Sequence, residues 1–106
     1  NGMVCSAQVA QMKDDALFIN TSRGSTYDLD ALYDVLAAGK LRGAGLDVFS
    51  PEPPPVAHPI LQLPNVLATP HMASGTVDRH QAIAEGQMQN FLRALHGQVP
   101  LNAVFA

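Results

Sequence analysis

Residues 16–49 read ALFINTSRGSTYDLDALYDVLAAGKLRGAGLDVF, and their patterning decides the fold. Ala16-Leu17-Phe18-Ile19 is a short apolar run that stops at Asn20-Thr21-Ser22-Arg23-Gly24. That is the pattern of a buried strand running into a polar loop. Asp28 then opens a helix, because Leu29, Leu32, Tyr33 and Leu36 fall at i, i+3, i+4 and i+7 and share one face. Asp28 and Asp30 suit its N-terminus, and Gly39 followed by Lys40 suits its end. Ala44 to Phe49 reads as a second strand, interrupted at Asp47 by a charge that calls for a reason.

Outward from this stretch the same alternation continues. Ser6 to Lys13 reads as a short helix with Ser6 as its N-cap and Ala7, Ala10 and Met12 as its apolar side. Ser50 to Pro59 is a proline-rich loop, which proline both denies regular structure and stiffens. A third strand, Val66 to Thr69, ends at Pro70-His71. A last helix starts near Ser74 to Thr76 and runs to about His96, with Ala84, Met88, Phe91, Leu92 and Leu95 on one face and Gly97 and Pro100 after it. Leu29, Leu32, Leu36, Met88 and Leu92 are the expected core. Strands alternating with helices imply an α/β fold with parallel strands joined by crossovers, and three strands make about half of a doubly wound sheet.

Composition narrows the function classes. Hydrophobic residues make up 47% of the 106, enough to bury a core. With only six Lys and Arg, a net charge of -3 and no basic run, nucleic acid is not an expected partner. No apolar run approaches the roughly 18 residues of a membrane span, and no signal-like segment opens the chain. Cys5 is the lone cysteine, which excludes an internal disulfide and says nothing against a reducing cytoplasm. The opening Asn1-Gly2-Met3 lacks an initiator Met and reads as part of a longer protein.

Ligands of open parallel sheets bind beyond the carboxyl ends of the strands. Arg23 follows the first strand, Asp47 and Glu52 the second, and His71 the third. These residues suit the reduction of a keto acid. A planar guanidinium grips a carboxylate with two parallel hydrogen bonds. An imidazole is the natural proton donor to the developing alkoxide, and a carboxylate beside it fixes its tautomer. The hydride must come from a cofactor, since no side chain supplies one. His58 reads as structural, and His80 and His96 as surface residues. No His or Cys pair has metal-ligand spacing, and the surroundings of Ser22 are not those of a G-x-S-x-G nucleophile.

Three segments carry a family resemblance. Met12 to Gly24 resembles the M-K-x-x-A-x-x-I-N-x-x-R-G segment of D-2-hydroxyacid dehydrogenases. Gly43-Ala44-Gly45-Leu46-Asp47-Val48-Phe49, with Glu52-Pro53, is similar to their G-A-x-x-D-V-F-x-x-E-P segment. Pro70-His71-Met72-Ala73-Ser74-Gly75-Thr76 resembles their P-H-x-x-x-x-T segment. The resemblance implies a Rossmann-type domain, of which residues 1–106 would be the C-terminal portion of the NAD-binding part, and reversible hydride transfer between NAD and a small 2-keto or D-2-hydroxy acid. NADP stays open. It implies that Arg23 binds the substrate carboxylate and carbonyl, that His71 is the acid in reduction and the base in oxidation, and that Glu52 hydrogen-bonds His71. Asp47 would lie near the nicotinamide end, and Thr21, Ser22, Arg23, His71, Ala73 and Ser74 would line that pocket. Glu52 argues against the formate dehydrogenase branch, which typically has Gln there. Gly97 to Asn102 resembles the glyoxylate/hydroxypyruvate reductase and phosphoglycerate dehydrogenase branches.

Two family parts are not in the sequence. The G-x-G-x-x-G phosphate loop is missing, and Gly43-Ala44-Gly45 does not replace it because Val48 stands where the third Gly belongs. The acidic residue, or its replacement, that would choose NAD over NADP is missing too. Both are expected in an N-terminal segment outside this sequence, and the family's substrate-binding domain is also absent. The family also implies a cytoplasmic homodimer. A corepressor-like member that senses the dinucleotide without catalysis, and an inactive fragment, remain as alternatives.

Overall fold

A computed structural model describes residues 2–104 of the chain. They fall into two units, Asn1–Ala73 and Ser74–Ala106. The reading of Asn1 as the start of a truncated chain lies outside the described residues.

The first unit is built around a parallel sheet. Strand β1 (Leu17–Asn20) leads through helix α2 (Leu29–Ala37) to β2 (Gly43–Leu46), and a 3-10 helix at Pro59–Gln62 precedes β3 (Val66–Ala68). Helix α1 (Ser6–Ala10) comes before β1. The strands stand in the order β1-β2-β3, with Leu17 opposite Gly43 and Ala44 opposite Val66. The α/β reading therefore holds. Helix α2 begins where expected: the Asp28 carboxylate accepts the Ala31 N–H at 3.0 Å. It ends at Gly39, whose φ of 70° is cheap only without a side chain.

The core lies on one side of the sheet. Leu32 and Leu36 of α2 meet Phe18, Ala44 and Leu46 of the strands, with Val9, Leu41 and Ile60 around them. Burial alternates along β1: Phe18 and Asn20 are buried, while Leu17 and Ile19 are 50% and 70% exposed. The apolar run is thus a one-sided strand here, because successive side chains point to opposite faces. Ile19, Gly45 and Leu67 share one cross-strand row on the exposed face.

The ends of α1 and β2 differ most from the sequence reading, while β1 and β3 differ by one residue. Cys5, not Ser6, caps α1, and its backbone N–H and thiol both donate to the Gln8 side chain. That helix ends at Ala10 rather than Lys13, with Val9 as its buried residue in place of Ala7 and Ala10. The Ala16 N–H turns back to the Lys13 carbonyl at 3.0 Å, which folds the chain into β1. Strand β2 stops at Leu46, so Asp47 does not interrupt a strand but follows one. Its N–H still pairs with the Asn20 carbonyl at 3.0 Å.

Tyr27 ties the core to the end of β2. Its hydroxyl donates to the Val48 carbonyl at 3.0 Å, and its ring packs 5.5 Å from that of Phe18. Burial, helped by the negative charge of Glu52, pushes its pKa up from 10.0 to about 12. The folded state thus favours the protonated phenol. That contribution is complete below pH 10 and is lost as pH rises through about 12. Tyr27→Phe is expected to flatten the loss of stability over this window, which urea midpoints measured at successive alkaline pH values would read.

In the second unit, helix α3 (Val77–Leu95) starts after Thr76 and is followed by Gly97 at φ 68°. Its tail folds back on it: the Asn90 side chain accepts the Leu101 N–H at 2.8 Å, and Arg93 Nε donates to the Val99 carbonyl at 2.8 Å. Met88 and Leu92, expected in the core, are 59% and 47% exposed. One helix and a short tail have too little apolar surface to cover that face. Among the described residues, no helix is long and apolar enough to cross a membrane.

Candidate active site

The loop after β1 is organised by Asn20. This buried amide donates to the Arg23 carbonyl at 3.2 Å and to Thr26 Oγ1 at 3.1 Å. Its oxygen accepts the Ser22 N–H at 2.9 Å and the Ser22 hydroxyl at 2.8 Å. The side chain thus builds an Asx turn that carries Arg23. The sequence reading placed Asn20 beside Arg23 but gave it no task. An Asn two residues before a Ser at a strand end was the available signal. Arg23 itself is exposed, and its Nη1 donates to the Ser22 carbonyl at 2.7 Å.

Gly24 brings this loop against the next one. A Cβ at Gly24 would lie 2.0 Å from the carbonyl carbon and oxygen of Phe49, so only glycine permits the approach. The Phe49 N–H in turn donates to Glu52 Oε1 at 2.8 Å. Prolines 51 and 53 flank Glu52, and the peptide bonds preceding both are cis. Glu52 Oε2 lies 2.8 Å from His71 Nδ1. The bond from His71, and after it the one from Phe49, holds the Glu52 pKa below its ordinary 4.5. Glu52 is therefore ionised at neutral pH. An ionised carboxylate only accepts, so the proton between them sits on Nδ1. Nε2 is the ring nitrogen that does not face Glu52.

Asp47 lies behind His71 and is 3% exposed. Its Oδ1 accepts from Thr69 Oγ1 at 2.5 Å and the Met72 N–H at 2.8 Å, and its Oδ2 accepts the Ala73 N–H at 2.9 Å. The Thr69 hydroxyl is the largest cause of a pKa held below 3.8, with the Ala73 and Met72 amides adding to it against the effect of burial.

Two hollows flank this group. A cavity of about 530 Å³ is walled by Asp47, Glu52 and His71 together with Phe49, Leu61 and Pro70. A second, of about 240 Å³, lies at the carboxyl end of the exposed sheet face, between Ile19 and Leu67 over Gly45, with Thr21, Asp47 and Ala73 at its rim. Of the expected site residues, Asp47, Glu52 and His71 come together, and Thr21, Asp47 and Ala73 share the second hollow. Ser22 and Arg23 line neither. Ser74 opens the second unit, where it is exposed, and its expected role rests on the motif alone. His58 caps the 3-10 helix by accepting the Ile60 N–H at 3.3 Å and pairs with Asp30 at 3.1 Å. His80 and His96 are exposed.

The chain resembles known proteins along nearly all of its length. It is 46% identical over 97 residues to glyoxylate/hydroxypyruvate reductase B of Pectobacterium carotovorum, covering 92% of this chain and 30% of that protein. The D-isomer specific 2-hydroxyacid dehydrogenase of Xanthobacter autotrophicus, solved in complex with NADPH and MES, superposes with a TM-score of 0.85 at 38% identity. That match covers 98% of this chain and 42% of the other. The D-lactate dehydrogenase of Lactobacillus jensenii, solved with NAD+, gives 0.76 at 27% identity over 99% of this chain and 36% of the other. The chain thus spans about a third of the length of such relatives. The family model described as "D-isomer specific 2-hydroxyacid dehydrogenase, NAD binding domain" matches residues 1–73, and the chain belongs to that family.

Proposed function

We propose that this chain supplies the catalytic side chains of an NAD(P)-dependent oxidoreductase that interconverts a small D-2-hydroxy acid and its 2-keto acid. The observation that carries the reading is the Glu52–His71 pair, whose geometry leaves Nε2 of His71 as the atom that exchanges a proton. The sharing of this family by solved relatives with NADPH or NAD+ bound supports the cofactor class.

The hollow over Gly45 suits the nicotinamide end of the cofactor. Its walls, Ile19 and Leu67, are apolar, the missing side chain at Gly45 makes room for a flat ring, and Thr21 and Thr69 complete the lining. Thr21, Asp47 and Ala73 would border that ring, with Ser22, Arg23 and His71 close in the same loops. When bound, the nicotinamide supplies or accepts the hydride. His71 holds a proton at Nε2, gives it to the oxygen that becomes the hydroxyl, and takes it back in the reverse direction. Glu52 accepts from Nδ1–H throughout and so fixes the ring with Nε2 as the exchanging atom. Arg23 binds the substrate carboxylate, using guanidinium N–H groups beyond the one donated to Ser22. The phosphate-gripping loop and substrate domain belong to sequence outside this chain, and the working protein is a cytoplasmic homodimer.

The test is to express the complete reading frame and follow NADH and NADPH absorbance with glyoxylate, hydroxypyruvate, pyruvate and phosphohydroxypyruvate. Turnover of one of them is expected. No turnover with NADH still bound would instead favour a dinucleotide-sensing, corepressor-like protein, and neither turnover nor binding an inactive one.

A further inference from the structure

Asp47 is the one buried charged side chain among the described residues. Enclosing a carboxylate is costly unless donors surround it. Here all three donors come from a single five-residue segment: Thr69, Met72 and Ala73. They bracket His71, one lying two residues before it and two directly after. Oδ1 already accepts two hydrogen bonds and Oδ2 one, so most of the carboxylate's capacity is spent on the loop rather than offered to a ligand.

His71 needs such a bracket. Its φ is 54°, and it is the only non-glycine residue with positive φ among the described residues. A backbone held in that region costs on the order of 1 kcal/mol or more and persists only where its surroundings over-determine it. The segment's own contribution is one short bond, from the His71 N–H to the Thr69 carbonyl at 3.0 Å. Further restraint comes from the Thr69 N–H, which donates to the Leu46 carbonyl at 2.9 Å, and from the three bonds to Asp47. At an ordinary negative φ the imidazole would leave the direction in which Nδ1 meets Glu52 Oε2 at 2.8 Å.

We infer that Asp47 is a positioning residue that acts through His71: its carboxylate pins the chain on both sides of the histidine and so holds the imidazole against Glu52. The effect on turnover rests on the proton-transfer role proposed for His71, whereas the effect on the imidazole does not. Asp47→Asn keeps the shape but turns an amide NH2 toward a backbone donor, so at least one of the three bonds is lost. Thr69→Val removes a different one and leaves the carboxylate in place.

The experiment uses the complete protein with labelled histidine nitrogens. In the wild type, nitrogen–proton correlation spectra should show a hydrogen-bonded Nδ1–H on His71. In Asp47→Asn that signal is expected to be lost, and kcat for the best keto acid to fall on the order of 10- to 100-fold, as for a small misplacement of a reacting group. Any loss of NADH affinity, which Asp47 at the rim of the proposed nicotinamide hollow could also cause, should accompany the loss of the His71 signal and not replace it. Thr69→Val should shift the same resonance and lower kcat by less. An unmoved His71 signal in Asp47→Asn, or a loss confined to NADH affinity, would overturn the inference. If Asp47→Asn does not fold, Thr69→Val decides by the same two readings. A wild type that turns over no keto acid would count against the proposed function, while the His71 signal would still decide whether Asp47 holds the loop.

Discussion

Replacing His71 is expected to lower turnover of a 2-keto acid by the complete protein by a factor of about 100 or more, the usual weight of a positioned acid–base group. The choice of substitute matters. At φ 54° alanine would be strained, whereas asparagine tolerates the left-handed region better, so His71→Asn separates lost chemistry from a disturbed backbone. The imidazole is 45% exposed and makes one side-chain hydrogen bond, to Glu52, so little of the fold depends on it. The expected result is therefore a collapse of kcat with a urea midpoint close to that of the wild type. His71→Asn with wild-type kcat would remove His71 from the mechanism, and with it the main support for the proposed reaction.

The largest effect on stability is expected at Gly24. An alanine Cβ there would lie 2.0 Å from the carbonyl carbon and oxygen of Phe49 and 2.6 Å from its Cα. These are backbone atoms, so no side chain can swing aside. Phe49 is also fixed from its other end, because its N–H donates to Glu52 and the adjacent Val48 carbonyl accepts from Tyr27. Relief requires that the Arg23 loop and the Glu52 loop separate. Overpacking commonly costs about 1–3 kcal/mol, and a clash with fixed backbone belongs at or above the upper end. Urea unfolding of Gly24→Ala should show a clearly lower midpoint. Residual folded protein should also turn over slowly, because the separation displaces Glu52 from His71. A midpoint equal to that of the wild type would mean that the two loops do not meet as described.

The alternation of β1, α2, β2 and β3 was legible because each element announces itself within a few residues. Leu29, Leu32, Tyr33 and Leu36 repeat at helical spacing, Asp28 is a side-chain cap, and Gly39 is a stop; the helix follows from local chemistry. Its core side was legible at Leu32 and Leu36. It was not for Met88 and Leu92 in α3, since spacing reports only that a helix has an apolar face and not what covers it. The one-sided burial of β1 escaped for the same reason: a four-residue apolar run looks alike whether one face is packed or two. The start of helix α1 was not legible because its cap is a cysteine, a residue seldom found there.

The sequence by itself determined the strand–helix order, the family, and the identity of Arg23, Glu52 and His71 as residues at successive strand ends. Residue type, spacing and motif carry that information without reference to space. Only the tertiary structure decided what each side chain touches. Glu52 and His71 stand 19 residues apart in the chain and 2.8 Å apart in the fold. Asp47 reads in sequence as a charge out of place, and in space as the acceptor of three hydrogen bonds from a segment more than 20 residues away. Gly24 reads as a loop glycine, and the fold makes it the point where two backbones meet. Parallel pairing is the cause: it sets the ends of β1, β2 and β3 side by side, so loops remote in sequence share donors and acceptors that no local pattern records.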